Sequence, residues 1–208
     1  LACEVANDLF FELFPYPLPL VGRATERVYI RLYKNVPTLA ISSSTKKDLI
    51  KECFVEKNIT VLPMGLTGPK KIKSFPKEKD RTLIYVGRIN KLKGIGDAID
   101  AFSIVKKQIP DCMLWIVGKG EKAYVNKIKN KINSLDIASS VIFFGFVTEE
   151  RKFELMSKAH ILVAPSVKEG FGLTIPEAGI VGTPAIAYNV GGLRDVVENG
   201  KNGILVDC

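Results

Sequence analysis

Residues 161–178 read ILVAPSVKEGFGLTIPEA, in which an apolar run passes through a glycine-rich loop into a second apolar segment. The run 161–164 is short, continuous and apolar, which is typical of a buried strand. Gly170 and Gly172 mark the loop, and the pattern after them predicts a helix over 173–181. A strand followed directly by a helix is the unit from which parallel sheets covered by helices are built.

The same alternation extends through most of the chain. Strands are predicted at 81–86, 113–117, 141–144, 161–164, 184–188 and 204–206. Helices are predicted between them at 97–109, 121–135, 148–159, 173–181 and 193–199. Upstream, the pattern predicts strands at 37–42 and 58–63. Between them, Thr45 and Asp48 have capping-box spacing, and a helix is predicted to follow and to run to about residue 53. Continuous apolar strands separated by helices predict an α/β fold with a parallel sheet flanked by helices.

Two domains are expected, at 1–68 and 81–208. The segment between them, 69–80, is polar, rich in lysine and bracketed by prolines, which is typical of a linker. Residues 9–21 are apolar but contain several prolines, so they are predicted to form a loop. The chain does not begin with Met and stops just after a predicted strand, which leads us to expect a fragment at both ends.

Composition narrows the functional classes. The 208 residues are 47% hydrophobic and 25% charged, which excludes a disordered chain and a disulfide scaffold. The net charge of +8 favours an anionic partner. Four scattered cysteines indicate a reducing compartment, and a single histidine, His160, excludes a histidine-rich metal site. No apolar stretch reaches the roughly 20 residues of a membrane span, and no signal peptide is evident, so a cytoplasmic protein is expected.

Charged residues follow the predicted strands at the edge where parallel sheets bind their ligands. Arg88 and Lys93 come after the strand 81–86, where they could neutralise a phosphate from two directions. Glu169 precedes the helix start of the opening motif and Glu177 lies just inside that helix. A helix start attracts anions, whereas carboxylates accept hydrogen bonds from sugar hydroxyls. The combination predicts a ligand that carries a diphosphate and at least one sugar.

Glu169 and Glu177, with seven residues including Gly-Phe-Gly between them, resemble the signature of retaining glycosyltransferases of the GT-B fold, family 4. The resemblance extends from about residue 25 to the end of the chain. Its other parts are Ser42, Gly65 after Val-Leu-Pro-Met, Gly87-Arg88 with Lys93-Gly94, Val117-Gly118-Lys-Gly120, Phe144-Gly145-Phe-Val147, Pro165-Ser166, Gly182-Thr-Pro184 and Gly203-Ile-Leu-Val206.

The resemblance implies two Rossmann-like domains that face a cleft, the first for the acceptor and the second for the nucleotide-sugar donor. Residues 1–68 would then be the C-terminal part of the acceptor-side domain. Residues 81–208 would be the donor domain, truncated before its last helices. The acceptor-side catalytic residues of the family would be absent from this chain, which would make it inactive for transfer by itself. His160 is expected to have a structural role only.

The resemblance also assigns roles to individual residues. Arg88 and Lys93 would bind the diphosphate and stabilise the leaving nucleoside diphosphate, and Glu169 would contact the donor sugar near its reacting face; these three are the expected catalytic residues. Glu177 would bind the ribose hydroxyls. The expected donor-binding residues are Gly65, Gly87, Arg88, Lys93, Phe146, Val147, Glu169, Gly170, Phe171, Gly172, Leu173, Thr174 and Glu177.

The implied substrates are a UDP-, GDP- or ADP-sugar and a sugar or lipid-linked acceptor. No cofactor and no metal are expected, because Arg88, Lys93 and the helix start near Leu173 supply the positive charge. The basic residues in the linker and in 121–135 are interpreted as a solvated face. Association with an anionic membrane is the second interpretation. Nucleic-acid binding is not expected, because aromatic residues do not alternate with these lysines.

Three other functions remain as alternatives. A glycosidase could use Glu169 and Glu177 as its carboxylate pair, but it would have no use for Arg88 and Lys93. A nicotinamide dehydrogenase would need a third glycine after Gly118-Lys-Gly120, and this sequence lacks it. The third alternative is a nucleotide-sugar-binding half that is inactive without its missing domain or a partner subunit.

Overall fold

The computed structural model of the chain describes residue 2 and residues 10–11, 14–66, 68 and 75–208. The chain divides into two compact units, Leu1–Gly65 and Leu66–Cys208. The division falls just before the predicted domain end at 68. The first half of the predicted linker, residues 69–74, lies outside the described residues.

The first unit contains one short parallel pair of strands. Its elements are α1 (Leu18–Tyr33), β1 (Thr38–Ala40), α2 (Ser43–Lys51), a 3₁₀ turn (Glu56–Asn58) and β2 (Ile59–Val61). β1 pairs with β2 in parallel, with Thr38 opposite Ile59. Ala40, Leu49, Phe54 and Ile59 form its small buried core.

Two local predictions for this unit are wrong. The predicted loop 9–21 in fact includes the start of α1, because Pro17 precedes the helix and Pro19 lies in its first turn, where proline costs no hydrogen bond. The cap of α2 is Ser42 rather than Thr45. The Ser42 hydroxyl accepts a hydrogen bond from the Thr45 backbone N–H at 3.0 Å, so α2 begins one turn earlier than a Thr45 cap would require.

The second unit is a doubly wound α/β domain. Its strands are β3 (Thr82–Val86), β4 (Met113–Val117), β5 (Val141–Gly145), β6 (Ile161–Ala164), β7 (Ala185–Tyr188) and β8 (Gly203–Val206). Its helices are α3 (Ile95–Gln108), α4 (Lys122–Ser134), α5 (Glu149–Lys158), α6 (Thr174–Ile180) and α7 (Gly191–Val196). The six strands are all parallel in the order β5-β4-β3-β6-β7-β8, which confirms the predicted fold class.

Helices cover both faces of this sheet, which explains why its strands are apolar without alternation. Ile84 of β3 points to the face covered by α5, α6 and α7. Tyr85, the next residue, points to the face covered by α3 and α4. The strand order reverses direction between β3 and β6, and sheets of this kind bind ligands at such a switch point, at the carboxyl ends of the strands.

Residues 75–80, the described end of the predicted linker, belong to the second unit and are tied to the rest of it by hydrogen bonds. Lys77 Nζ donates hydrogen bonds to the Ala159 carbonyl at 2.6 Å and to Thr183 Oγ1 at 2.8 Å. Burial lowers the pKa of Lys77. Nearby, His160 Nδ1 accepts a hydrogen bond from the Thr82 backbone N–H at 3.1 Å, which is a structural contact at the amino end of β3.

None of the helices described has both the length and the apolar character that crossing a bilayer requires.

The loops after β3 and β6 are in backbone contact at Gly94. This residue has a φ of +66°, and a Cβ atom there would lie 1.8 Å from the Pro165 carbonyl oxygen. Close by, the Val167 backbone N–H donates to the Leu92 carbonyl at 3.0 Å. Glycine is required at position 94 because both the backbone conformation and the available space exclude a side chain.

We expect Gly94→Ala to destabilise the protein more than Gly145→Ala does. Gly145 has a nearly identical φ of +68°, but a Cβ atom there would meet nothing within 4 Å. At either site alanine must adopt the left-handed backbone conformation, which costs about 1–2 kcal/mol of stability. Only at Gly94 must the two loops separate as well, which adds about 1–3 kcal/mol. Urea denaturation measures the difference, and equal losses would show that the loops have room to part.

Candidate functional site

A cavity of about 250 Å³ opens at the carboxyl ends of β3, β4 and β5. Four of the residues predicted from the sequence line it, namely Gly87, Arg88, Phe146 and Val147. The remaining lining residues are Val86, Val117, Gly118, Lys119, Glu149 and Lys152. Half of these lining residues are glycine or valine, and three cations and one carboxylate are among the others. The cavity therefore suits a flat or apolar group attached to an anion.

Backbone hydrogen bonds fix the loop that carries Arg88. Gly87 N–H donates to the Val117 carbonyl at 3.0 Å, and Ile89 N–H donates to the Lys119 carbonyl at 2.9 Å. The buried Tyr85 hydroxyl donates to the Arg88 carbonyl at 2.7 Å. Burial raises the pKa of Tyr85, so this hydroxyl keeps its proton and remains a donor. The guanidinium of Arg88 thus extends from a rigid backbone.

Lys93 and Glu169 form an ion pair between the loops after β3 and β6. Lys93 Nζ lies 2.5 Å from Glu169 Oε2, and the two side chains are 24% and 21% exposed. The ends of both loops are fixed, because Asn90 Oδ1 accepts from the Lys93 backbone N–H and the Gly192 N–H donates to the Glu169 carbonyl. Lysine has three donors and a carboxylate has two oxygens, so each side chain keeps capacity for a ligand.

Glu177 belongs to a second ion cluster beside the cavity. Its Oε1 lies 3.0 Å from Lys152 Nζ, which also lies 2.7 Å from Glu149 Oε2. Burial lowers the pKa of Lys152, but its hydrogen bonds to Glu149 and Glu177 and their charges outweigh burial, so that the net pKa is raised. Lys152 therefore stays charged at all physiological pH values.

Lys119 and Phe146 meet at the mouth of the cavity. Phe146 is 77% exposed, and Lys119 Nζ lies 5.1 Å from the centre of its ring. An exposed aromatic face beside an ammonium group offers a stacking surface for a planar ligand. The predicted contact of Phe146 and Val147 with a base is compatible with this position.

The structure does not gather all the predicted residues at one cavity. Lys93, Glu169 and the loop 170–174 lie at the β3–β6 switch point and do not line it. α6 begins at Thr174. The first N–H groups of any helix have no partners within that helix, so they can bind an anion. Gly65 belongs to the first unit, so its predicted contact with the donor stays a prediction.

Sequence reasoning missed Lys119, Glu149 and Lys152. Lys119 lies between the two glycines of the loop after β4, a position that the predicted strand end could have flagged. Glu149 and Lys152 are one helical turn apart at the start of α5, which is a recognisable spacing. Their relation to Glu177 depends on how α5 and α6 pack, and a single sequence carries no signal of that.

Within the described parts of the chain, no group of three or more His, Cys, Asp or Glu side chains could hold a metal ion.

Comparisons with known proteins agree with the fold. The family model described as "Glycosyl transferases group 1" matches residues 68–208. A glycogen synthase of Mycobacterium tuberculosis is 30% identical over 190 residues, which cover 88% of this chain and 45% of that protein. The D-inositol 3-phosphate glycosyltransferase of Paenarthrobacter aurescens is 35% identical over 127 residues, 60% of this chain and 31% of that protein.

Solved structures with the same fold include two that cover 88% of this chain. HepE of Anabaena, in complex with UDP and glucose, has a TM-score of 0.75 at 23% identity over 53% of its own chain. The sucrose-phosphate synthase of Thermosynechococcus elongatus has a TM-score of 0.74 at 26% identity over 49% of its own chain. The present chain therefore spans between about a third and about half of the length of these relatives.

Proposed function

The chain belongs to the glycosyl transferases group 1, and from this premise we propose that its second unit binds the nucleotide-diphospho-sugar donor of a sugar transfer reaction. The observation that carries the proposal is the convergence of Arg88, Lys119 and Lys152 on one cavity beside the Lys93–Glu169 pair. Cations at the carboxyl edge of a parallel sheet suit a diphosphate. UDP, which is named in the complex of HepE, is the first nucleotide to test.

In this proposal the donor lies along the carboxyl ends of β3 to β6. Its base occupies the cavity against Phe146 and Val147, and its diphosphate contacts Arg88 and Lys93. Backbone N–H groups at 171–174 add donors for the same phosphates. The transferred sugar lies against Glu169, and the ribose hydroxyls bind Glu177. Each group is thus matched by residues whose charge or donor capacity is complementary.

Glu169 and the two cations have complementary effects on the reaction. As the bond between the sugar and the diphosphate breaks, positive charge develops at the anomeric carbon and negative charge on the leaving group. A carboxylate stabilises the former, whereas Arg88 and Lys93 stabilise the latter, and both effects are large where charges are fixed in advance. We propose that transfer retains the anomeric configuration, as in the family 4 enzymes that the motif resembles. The coupling constant of the anomeric proton in the product tests this by NMR.

The extent of the chain favours one alternative within the same class. Because it covers 45% of the glycogen synthase relative, the second unit could bind the donor while transfer requires a further domain or a partner subunit. Slow hydrolysis of the donor without acceptor would separate a competent transferase from a binding half. A cytoplasmic location and a sugar or lipid-linked acceptor are further parts of the proposal. Association with an anionic membrane is another part, and flotation with anionic vesicles tests it.

We expect Arg88→Gln to weaken UDP binding by about 1.5–3 kcal/mol, which is about 10- to 150-fold in Kd, because a charged donor to the diphosphate is lost. The matched control is Arg81→Gln, since Arg81 precedes β3 at the opposite edge of the sheet and pairs with Asp111 in solvent. Isothermal titration of each variant measures the difference. Similar losses in both variants would mean that general charge, not a diphosphate site, binds UDP.

We expect UDP binding to be independent of divalent metal, because the protein supplies the cations. Affinity should change less than about twofold in EDTA and should fall as salt is raised from about 0.05 to 0.5 M, since ions screen the exposed Arg88. Binding that disappears in EDTA and returns with Mg²⁺ would contradict this proposal.

We expect substitution of the two carboxylates to separate sugar from nucleotide. Glu169→Gln should lower turnover of the whole protein by about 10²–10³-fold. Its affinity for sugar-free UDP should hold, because Lys93 loses only its internal partner. Glu177→Gln should instead weaken UDP itself by about 1–3 kcal/mol.

The control for both carboxylate variants is Glu154→Gln, because Glu154 pairs with Arg151 and Lys158 on α5 and does not line the cavity. Titration with UDP and with the intact donor measures the two effects. If Glu169→Gln weakens both ligands equally, the assignment of Glu169 to the sugar is wrong.

A further inference from the structure

An ion cluster of three residues lies at the edge of the cavity, in which Lys152 and Glu177 are largely buried and the Glu149 side chain is 69% exposed. Glu149 and Lys152 lie in the first turn of α5, and Glu177 projects from α6. The Lys152 side chain is 13% exposed and that of Glu177 14%, which is far less than most ion pairs of this protein. Lys152 and Glu149 also line the cavity, so this cluster faces the candidate donor site directly.

The start of α5 holds the ammonium of Lys152 in place. Thr148 caps the helix, since its hydroxyl accepts from the Arg151 backbone N–H at 3.3 Å. Glu149 and Lys152 are three residues apart on one helix face, where side chains of opposite charge meet. Lys152 is thus held by a carboxylate of its own helix and contacts Glu177 of α6 from a fixed position.

The contact with Lys152 also limits the directions that Glu177 can take. Oε1 contacts the ammonium at 3.0 Å, and a carboxylate has two oxygens that together can accept several hydrogen bonds, so Glu177 keeps capacity for another donor. A partly buried carboxylate without a countercharge is costly, so its side chain turns toward water or another donor and no longer has one defined orientation. The raised pKa of Lys152 keeps that countercharge present throughout the range in which the protein works.

We propose that Lys152 is a positioning residue that aims the Glu177 carboxylate at the ribose hydroxyls of the donor, and that the pair selects ribonucleotides over deoxyribonucleotides. The inference rests on the proposed function, because it requires a nucleotide at this site. Lys152 acts through Glu177, and Glu149 acts through Lys152.

The test compares UDP with 2′-deoxy-UDP by isothermal titration. The wild-type chain should prefer UDP by about tenfold, the effect of one hydrogen bond to a charged group. In Lys152→Met and Lys152→Gln the preference should fall below about threefold, because Met has no donor, and Gln has two donors but no positive charge and is shorter than Lys. Lys152→Arg keeps the charge and the donors, so it should restore the preference.

The matched control is Lys158→Met. Lys158 pairs with Glu154 at 2.9 Å on the same helix, so its loss removes an ion pair of α5 away from the cavity. It should leave the preference for UDP unchanged. The melting temperature of each variant identifies any that does not fold, and Lys152→Gln then replaces Lys152→Met.

Three results overturn the inference. They are a wild-type chain that binds both nucleotides equally, a folded Lys152 variant with the wild-type preference, and equal weakening of both nucleotides in that variant. In all three the proposed function stands, because UDP still binds. A wild-type chain that binds neither nucleotide contradicts the proposed function itself.

Discussion

The backbone of the second unit approaches itself so closely at Gly94 and Gly118 that no side chain fits at either position. A Cβ atom at Gly94 would lie 1.8 Å from the Pro165 carbonyl oxygen, and one at Gly118 would lie 1.8 Å from the Gly87 carbonyl oxygen. These contacts bring together the loops after β3, β4 and β6. Arg88, Lys119, Lys93 and Glu169 all extend from those loops, so their separations are set by backbone packing before any side chain contributes.

The sheet was predictable because its physical signal is local. Each strand is a continuous apolar run, each helix has its own periodicity, and strict alternation of the two admits mainly one architecture. The predicted ends of β4 and β6 coincide with the observed ones, because glycine or proline follows each strand at once. The start of α1 was not predictable in this way, since Pro17 and Pro19 suggest a loop unless their place in a first turn is known.

The candidate site was predictable only in part, because residues become neighbours there through the packing of separate elements. Arg88, Gly87, Phe146 and Val147 follow strands directly, and topology alone brings strand ends together. The pairs Lys93–Glu169 and Lys152–Glu177 join residues far apart in the chain. Whether a lysine faces a carboxylate or solvent depends on how each helix is rotated and how each loop closes. These features cannot be inferred from a single sequence.

The ion pairs Lys93–Glu169 and Lys152–Glu177 also explain how such a site is stable without its ligand. Clustered cations repel one another, and a partly buried charge without a partner is costly. Here Lys93 is balanced by Glu169, and Lys152 by Glu149 and Glu177, whereas Arg88 lies exposed on its loop. In the proposed function a diphosphate adds negative charge beside Arg88 and Lys93, and sugar hydroxyls offer donors to the carboxylates. Ligand groups then use the spare donors and lone pairs of residues that are already oriented, so little rearrangement is needed before the reaction.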